Sequence, residues 1–108
     1  MQSQGTNAQG PLNARAESDL IDIWVYSFEE WDDVQADKYL DELNAAIDSL
    51  ARNPHLGVRR DNVREGYRAS FVNQHAIYYR LSATSVDVVR VLHGQMDPNR
   101  HLEPSADL

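Results

Sequence analysis

Cysteine is absent from the 108 residues, so the chain has neither disulfides nor thiolate metal ligands. Lysine is reduced to Lys38 alone, which leaves cationic chemistry to arginine. No apolar run approaches the roughly 18 residues that span a bilayer. The opening MQSQGTNAQG also lacks the basic start and apolar stretch of a secretory signal. These absences lead to the expectation of a cytoplasmic protein with no membrane association. Four histidines (His55, His75, His93, His101) are present, but none pair at i, i+4 on a helix and no cysteine accompanies them. No metal site and no cofactor are expected.

The remaining composition is that of a globular domain, 42% hydrophobic and 25% charged. Its charge is divided along the chain. Residues 1–50 carry eleven acids against Arg15 and Lys38, a balance of −9, whereas residues 51–101 carry eight arginines against four acids, a balance of +4. Two faces with different partners fit this division, and so does an acidic solvated helix pair beside an ordinary sheet.

Residues 1–11 hold almost nothing to bury and read as a flexible leader; residues 103–108 read as a flexible tail. Residues 12–102 form the single domain. Asn13 is placed to cap a helix in which Ala16, Leu20, Ile23, Trp24, Phe28 and Trp31 recur at steps of three and four. Asp32-Asp33 interrupts that pattern, and Asp32 with Gln35 three residues on resembles a capping box for a second helix. Its apolar stripe is Ala36, Tyr39, Leu40, Leu43, Ala46, Ile47 and Leu50, and Asn53-Pro54 stops it. After a basic loop the period changes to two, predicting strands at 67–72, 76–81 and 86–92 with turns at Asn73-Gln74 and Ser82–Ser85. Asp97-Pro98 opens one last helical turn. The expected class is α+β in two layers: an N-terminal αα-hairpin on a small antiparallel sheet of three to four strands, with a short C-terminal helical turn.

Five segments carry a family resemblance. Ala16-x-x-Asp19-Leu20-x-x-Ile23-x-x-Tyr26 with Glu30-Trp31 is similar to the first helix of ParE toxins. Leu50-Ala51-x-Asn53-Pro54-x-x-Gly57 is similar to the exit of their second helix. Gly66-Tyr67-Arg68, His75-x-Ile77-x-Tyr79-Arg80, and Arg90-Val91-Leu92-His93 followed by Met96-Asp97 and Arg100-His101-Leu102 resemble their sheet and tail. The resemblance covers about residues 12–102. It implies a RelE/ParE superfamily fold, a ParD-like antitoxin partner in a hetero-oligomer, and inhibition of DNA gyrase. Two departures stand out. Such toxins open with a strand, but Asn7–Leu12 lacks β-formers and contains Pro11, so any first strand is expected to be short, irregular or missing. They also carry glycine after the tryptophan, where this chain has Asp32; aspartate tolerates the left-handed conformation, so the turn is expected to persist.

The candidate sites follow from these readings. Trp24, Phe28 and Trp31 fit the core stripe, yet a domain this small cannot cover every face of its hairpin. Trp24, Tyr26, Phe28 and Tyr39 are therefore candidates for an antitoxin groove, together with Arg68 and Phe71 on a sheet edge (68–72) open to an added strand. Arg59, Arg60, Arg64, Arg90, His93 and Arg100 are candidates for contact with the target. An alternative is a ribosome-dependent mRNA endoribonuclease of the RelE kind. It would use His93, with Arg68, Arg80 and Arg90 clamping phosphate and Asp61 or Glu65 as base. The near absence of lysine and the net charge of −7 oppose that reading. A third alternative is a non-toxic binding module.

Overall fold

The computed structural model describes residues 12–82 and 85–102. The expected leader and tail lie outside the described residues. Asn13 Oδ1 accepts from the Ala16 N–H at 2.9 Å and starts helix α1, Ala14–Glu30. Asp32 Oδ1 accepts from the Gln35 N–H at 2.8 Å and starts α2, Asp33–Arg52. Asp32 is extended at φ −173°, not left-handed as expected. The turn thus needs no glycine: the aspartate works as a cap, satisfying an N–H that the first helical turn leaves without a partner. Asn53 ends α2 just before Pro54, whose ring disfavours a helical residue ahead of it.

The sheet is antiparallel in the order β1-β2-β3-β4, formed by β1 (Val58–Arg59), β2 (Tyr67–Val72), β3 (His75–Leu81) and β4 (Val86–His93). The last three match the alternating runs of the sequence. β1 lies inside the basic loop, where two residues are too few to show a period; Val58 pairs with Ala69 and Arg59 with Arg68. Of the region where an opening strand was sought, only Leu12 is among the described residues; it forms a parallel bridge with Val88, reinforced by the Asn13 N–H to the Val88 carbonyl at 3.0 Å. Asn73 takes φ 52° in the β2–β3 turn, a conformation asparagine tolerates better than most residues.

Both sheet faces are covered. Toward the helices, Leu20, Ile23, Leu43, Ile47 and Leu50 pack with Ile77, Tyr79, Val88 and Val91. On the far face, Tyr67, Ala69, Tyr78, Val89 and Leu92 are covered by Leu102 and half-buried Val63. Leu102 follows the helical turn α3, Pro98–His101, which Asp97 caps. Burying one such leucine contributes about 1.5–3 kcal/mol, enough to hold the C-terminal segment against the sheet.

Two details link sequence to packing. Gly57 donates its N–H to the Tyr79 hydroxyl at 2.9 Å, and that hydroxyl donates to the Pro54 carbonyl at 2.6 Å. A Cβ at position 57 would come within 2.8 Å of the Ala69 carbonyl oxygen, so only glycine lets the chain pass this close. The α1 stripe differs from expectation. Its buried residues are Ala16, Leu20, Ile23 and Ser27; Trp24 is half-buried, and Phe28 and Trp31 are exposed. α2 and the sheet can cover only about a hundred degrees of α1, and these aromatics fall on its flanks.

Candidate functional site

The hairpin's outer surface carries an apolar stripe among exposed acids. Along α1, Ile21, Val25 and Phe28 are exposed at helical spacing, Ile21 to 64%, and Val34 on α2 to 70%. Trp24 and Phe28 stack with centroids 5.3 Å apart, and the Trp24 indole N–H donates to Asp37 at 2.9 Å. Beside them Leu20, Ile21, Trp24, Leu40 and Asn44 line a shallow groove. Exposed apolar residues of this extent make the hairpin a candidate protein-binding surface. Sequence reasoning placed Trp24 and Phe28 here but missed Ile21, Val25 and Val34. Their signal was available: apolar residues recurring at helical spacing beside the buried stripe form a contiguous exposed patch, and such patches call for a covering partner where single exposed residues do not.

At the closed end of the hairpin lies a cleft of about 410 Å³, lined by residues that include Tyr26, Trp31, Lys38, Tyr39, His75 and His93. α2 presents Tyr39, and the β2–β3 turn brings His75 opposite His93 in register. The Tyr39 hydroxyl donates to the Val72 carbonyl at 3.1 Å and lies 2.6 Å from His75 Nδ1. With the phenol's one proton on that carbonyl, Nδ1–H donates to the phenol oxygen and Nε2 is the nitrogen of His75 that titrates. His93 Nδ1 accepts from the Gln95 N–H at 3.1 Å, so its own proton sits on Nε2. The two imidazoles meet edge to face with centroids 5.3 Å apart. Burial, then the neighbouring His93, pushes the His75 pKa below its ordinary value. Burial and the Glu42 carboxylate raise that of Tyr39, which keeps its proton at neutral pH.

The remaining predicted residues are dispersed. Arg90 binds Asp19 through Nε at 2.7 Å and Nη2 at 2.9 Å, both side chains nearly buried, and donates Nη1 to the His101 carbonyl at 3.0 Å. Arg80 pairs with Asp87 at 3.1 Å. Asp61 accepts from the Gly66 N–H at 2.8 Å and pairs with Arg59 at 2.8 Å; together these hold its carboxyl below the usual range. Arg64 donates to the Leu102 carbonyl at 3.1 Å, and Arg68 to the Gly57 and His55 carbonyls. Arg60 lies over the Phe71 ring at 5.9 Å, with Phe71 itself 57% exposed. Glu65 and Arg100 are exposed. The sheet edge expected to be open at 68–72 is half closed: β1 pairs with Arg68 and Ala69, and only Ser70–Val72 lie beyond it.

A family model for the ParE toxin of the type II toxin–antitoxin system parDE matches residues 12–98. A relative described as Toxin ParE1 from Mycobacterium tuberculosis (strain CDC 1551 / Oshkosh) is 41% identical over 92 residues, 84% of this chain and 94% of its own. A second Toxin ParE1, from Caulobacter vibrioides, is 41% identical over 91 residues with the same coverage. A solved structure titled as the chromosomal ParDE TA system from P. aeruginosa superposes with a TM-score of 0.69. It covers 76% of this chain and 90% of its own, and at 15% identity it speaks for the fold alone.

Proposed function

Because the chain belongs to the ParE toxin family of type II toxin–antitoxin systems, we propose that it arrests growth by inhibiting DNA gyrase in the cytoplasm and is neutralised by a ParD-like antitoxin. The gyrase target rests on the family resemblance; the antitoxin rests also on one observation, the unpartnered apolar stripe of Ile21, Val25 and Phe28. An amphipathic antitoxin helix laid along that stripe would bury it, in the helix-in-groove mode of recognition. Acids around the stripe (Asp22, Glu29, Asp37, Asp41) suit a helix with basic flanks.

The ribonuclease reading draws no comparable support. Of its six residues, Arg80, Arg90 and Asp61 are engaged in ion pairs within the fold. Purified protein is tested in a gyrase supercoiling assay beside a translation assay, each with and without the antitoxin. Inhibited supercoiling with intact translation, reversed by antitoxin, is expected. Ribosome-dependent mRNA cleavage that His93→Gln abolishes would replace this reading with the enzymatic one, and inactivity in both assays would leave a binding module.

A further inference from the structure

The chain leaves Leu102 beside the basic loop. Leu102 packs with Tyr67, Ala69 and Tyr78 on the far face of the sheet, and its carbonyl accepts from Arg64 Nη2 at 3.1 Å. The Arg64 N–H closes one turn on the Arg60 carbonyl at 3.1 Å, and the Arg60 guanidinium lies over the Phe71 ring. Side chains alternate along a strand, so Phe71 shares the far face with Tyr67 and Ala69. Those two are buried, whereas Phe71 is 57% exposed. One arginine therefore touches Leu102 and the other an uncovered ring, a turn apart.

Among the described residues neither Arg60 nor Arg64 forms an ion pair; Asp61 is taken by Arg59, and Glu65 is exposed. Each guanidinium also has a buried Nε–H without a hydrogen-bond partner, a cost that is relieved when the side chain turns toward an acceptor. Residues 59–68 carry four arginines against Asp61 and Glu65, a balance of +2. Residues 103–108, Glu-Pro-Ser-Ala-Asp-Leu, carry −2. We propose that residues 103–108 dock on this face of their own chain, with Glu103 on Arg64, Asp107 on Arg60 and Leu108 on Phe71.

Reach and tethering select this occupant. Asp107 lies five residues beyond Leu102, at most about 17 Å of extended chain, while side chains one helical turn apart are separated by about 5–6 Å. Joined to Leu102, the segment has a local concentration on the order of millimolar, so a free acidic peptide of equal affinity competes poorly. Exposed ion pairs are individually weak; the tether and the apolar contact of Leu108 with Phe71 add to them. The docked segment covers Arg60 and Arg64, so any partner that uses these arginines has first to displace it.

The test uses the full chain, whose lack of cysteine allows a single nitroxide label at Ala106→Cys. The label is expected to broaden the NMR signals of Phe71, Arg60 and Val63 and to spare Ile21 and Val25 on the hairpin. Neutralising the segment with Glu103→Gln/Asp107→Asn, or screening it in about 0.5 M salt, is expected to lower the relaxation enhancement at Phe71 at least about twofold. The control pair Glu29→Gln/Asp41→Asn removes the same charge from exposed hairpin positions and is expected to leave the enhancement unchanged. Leu102 is intact in every variant, and circular dichroism verifies the fold. The proposal is overturned if Phe71 is not broadened, if its broadening survives neutralisation, or if the control pair lowers it equally. It is also overturned if the broadening arises between labelled and unlabelled molecules, which would put the segment on a second copy. No antitoxin or gyrase enters the experiment, so its failure leaves the proposed function intact.

Discussion

At the scale of single residues, the most consequential contact is the Asp19–Arg90 pair. Asp19 accepts two guanidinium bonds and the Val91 N–H at 2.9 Å, while Arg90 also holds the His101 carbonyl. One pair thereby ties α1, β4 and the C-terminal segment together. Both side chains are little exposed, at 12% and 13%, so removing one strands the other's charge away from water. Arg90→Met is expected to cost about 3–5 kcal/mol, read as a lower urea midpoint at unchanged slope. The double variant Asp19→Asn/Arg90→Met leaves no buried charge, and the asparagine oxygen still accepts from Val91, so it is expected to recover a substantial part of that loss. A double variant no more stable than Arg90→Met would show that the loss comes from packing and not from the stranded carboxylate. Sequence reasoning had assigned Arg90 to phosphate or target, because nothing in the sequence brings residue 19 beside residue 90.

At the scale of elements, the hairpin rests on Asp32. With two residues between α1 and α2, the chain reverses with few constraints other than this cap. Asp32→Ala is expected to cost about 1 kcal/mol, seen as a drop of several degrees in Tm, with far-ultraviolet circular dichroism otherwise native. A change below a few tenths of a kcal/mol would mean that helix packing alone fixes the turn. The caps at Asn13, Asp32 and Asp97, the stop at Asn53-Pro54 and the three long strands were all legible, because each depends on neighbours a few residues apart. β1 was not, since its pairing with β2 is set by a loop that returns over several residues. Nor was the exposure of Trp31, and that of Phe28 only in part, since it fitted both core and groove: periodicity reports which residues share a face, and only the third dimension reports how wide that face is. The cleft was half legible. Tyr39 and His93 were each singled out, but for different roles. His75 drew attention only in the motif His75-x-Ile77-x-Tyr79-Arg80 and as a metal ligand the spacing argued against, and its partnership with Tyr39 spans 36 positions.

At the scale of the molecule, the division of charge becomes a division of surfaces. The acidic half is the hairpin with its apolar stripe; the basic half supplies the loop of Arg59, Arg60 and Arg64 beside exposed Phe71. If the antitoxin covers the stripe, apolar burial sets its affinity, and acids at the rim mainly set its rate of arrival. Ile21→Glu is a clean probe, because Ile21 is exposed and the substitution leaves the fold's core untouched. It is expected to weaken antitoxin binding by at least about 2 kcal/mol, roughly 30-fold by calorimetry, while gyrase inhibition persists. Arg60→Glu is expected to do the reverse: antitoxin affinity stays within about threefold, and gyrase inhibition falls as the basic face loses its charge. Trp24 is the worse probe, since it is half-buried and stacked on Phe28, and its loss mixes binding with packing. Circular dichroism on each variant separates the two effects. A folded Ile21→Glu protein that keeps full antitoxin affinity would move the antitoxin off the hairpin's outer stripe. In that case the closed-end cleft and the short open edge at Ser70–Val72 are the surfaces left to receive it.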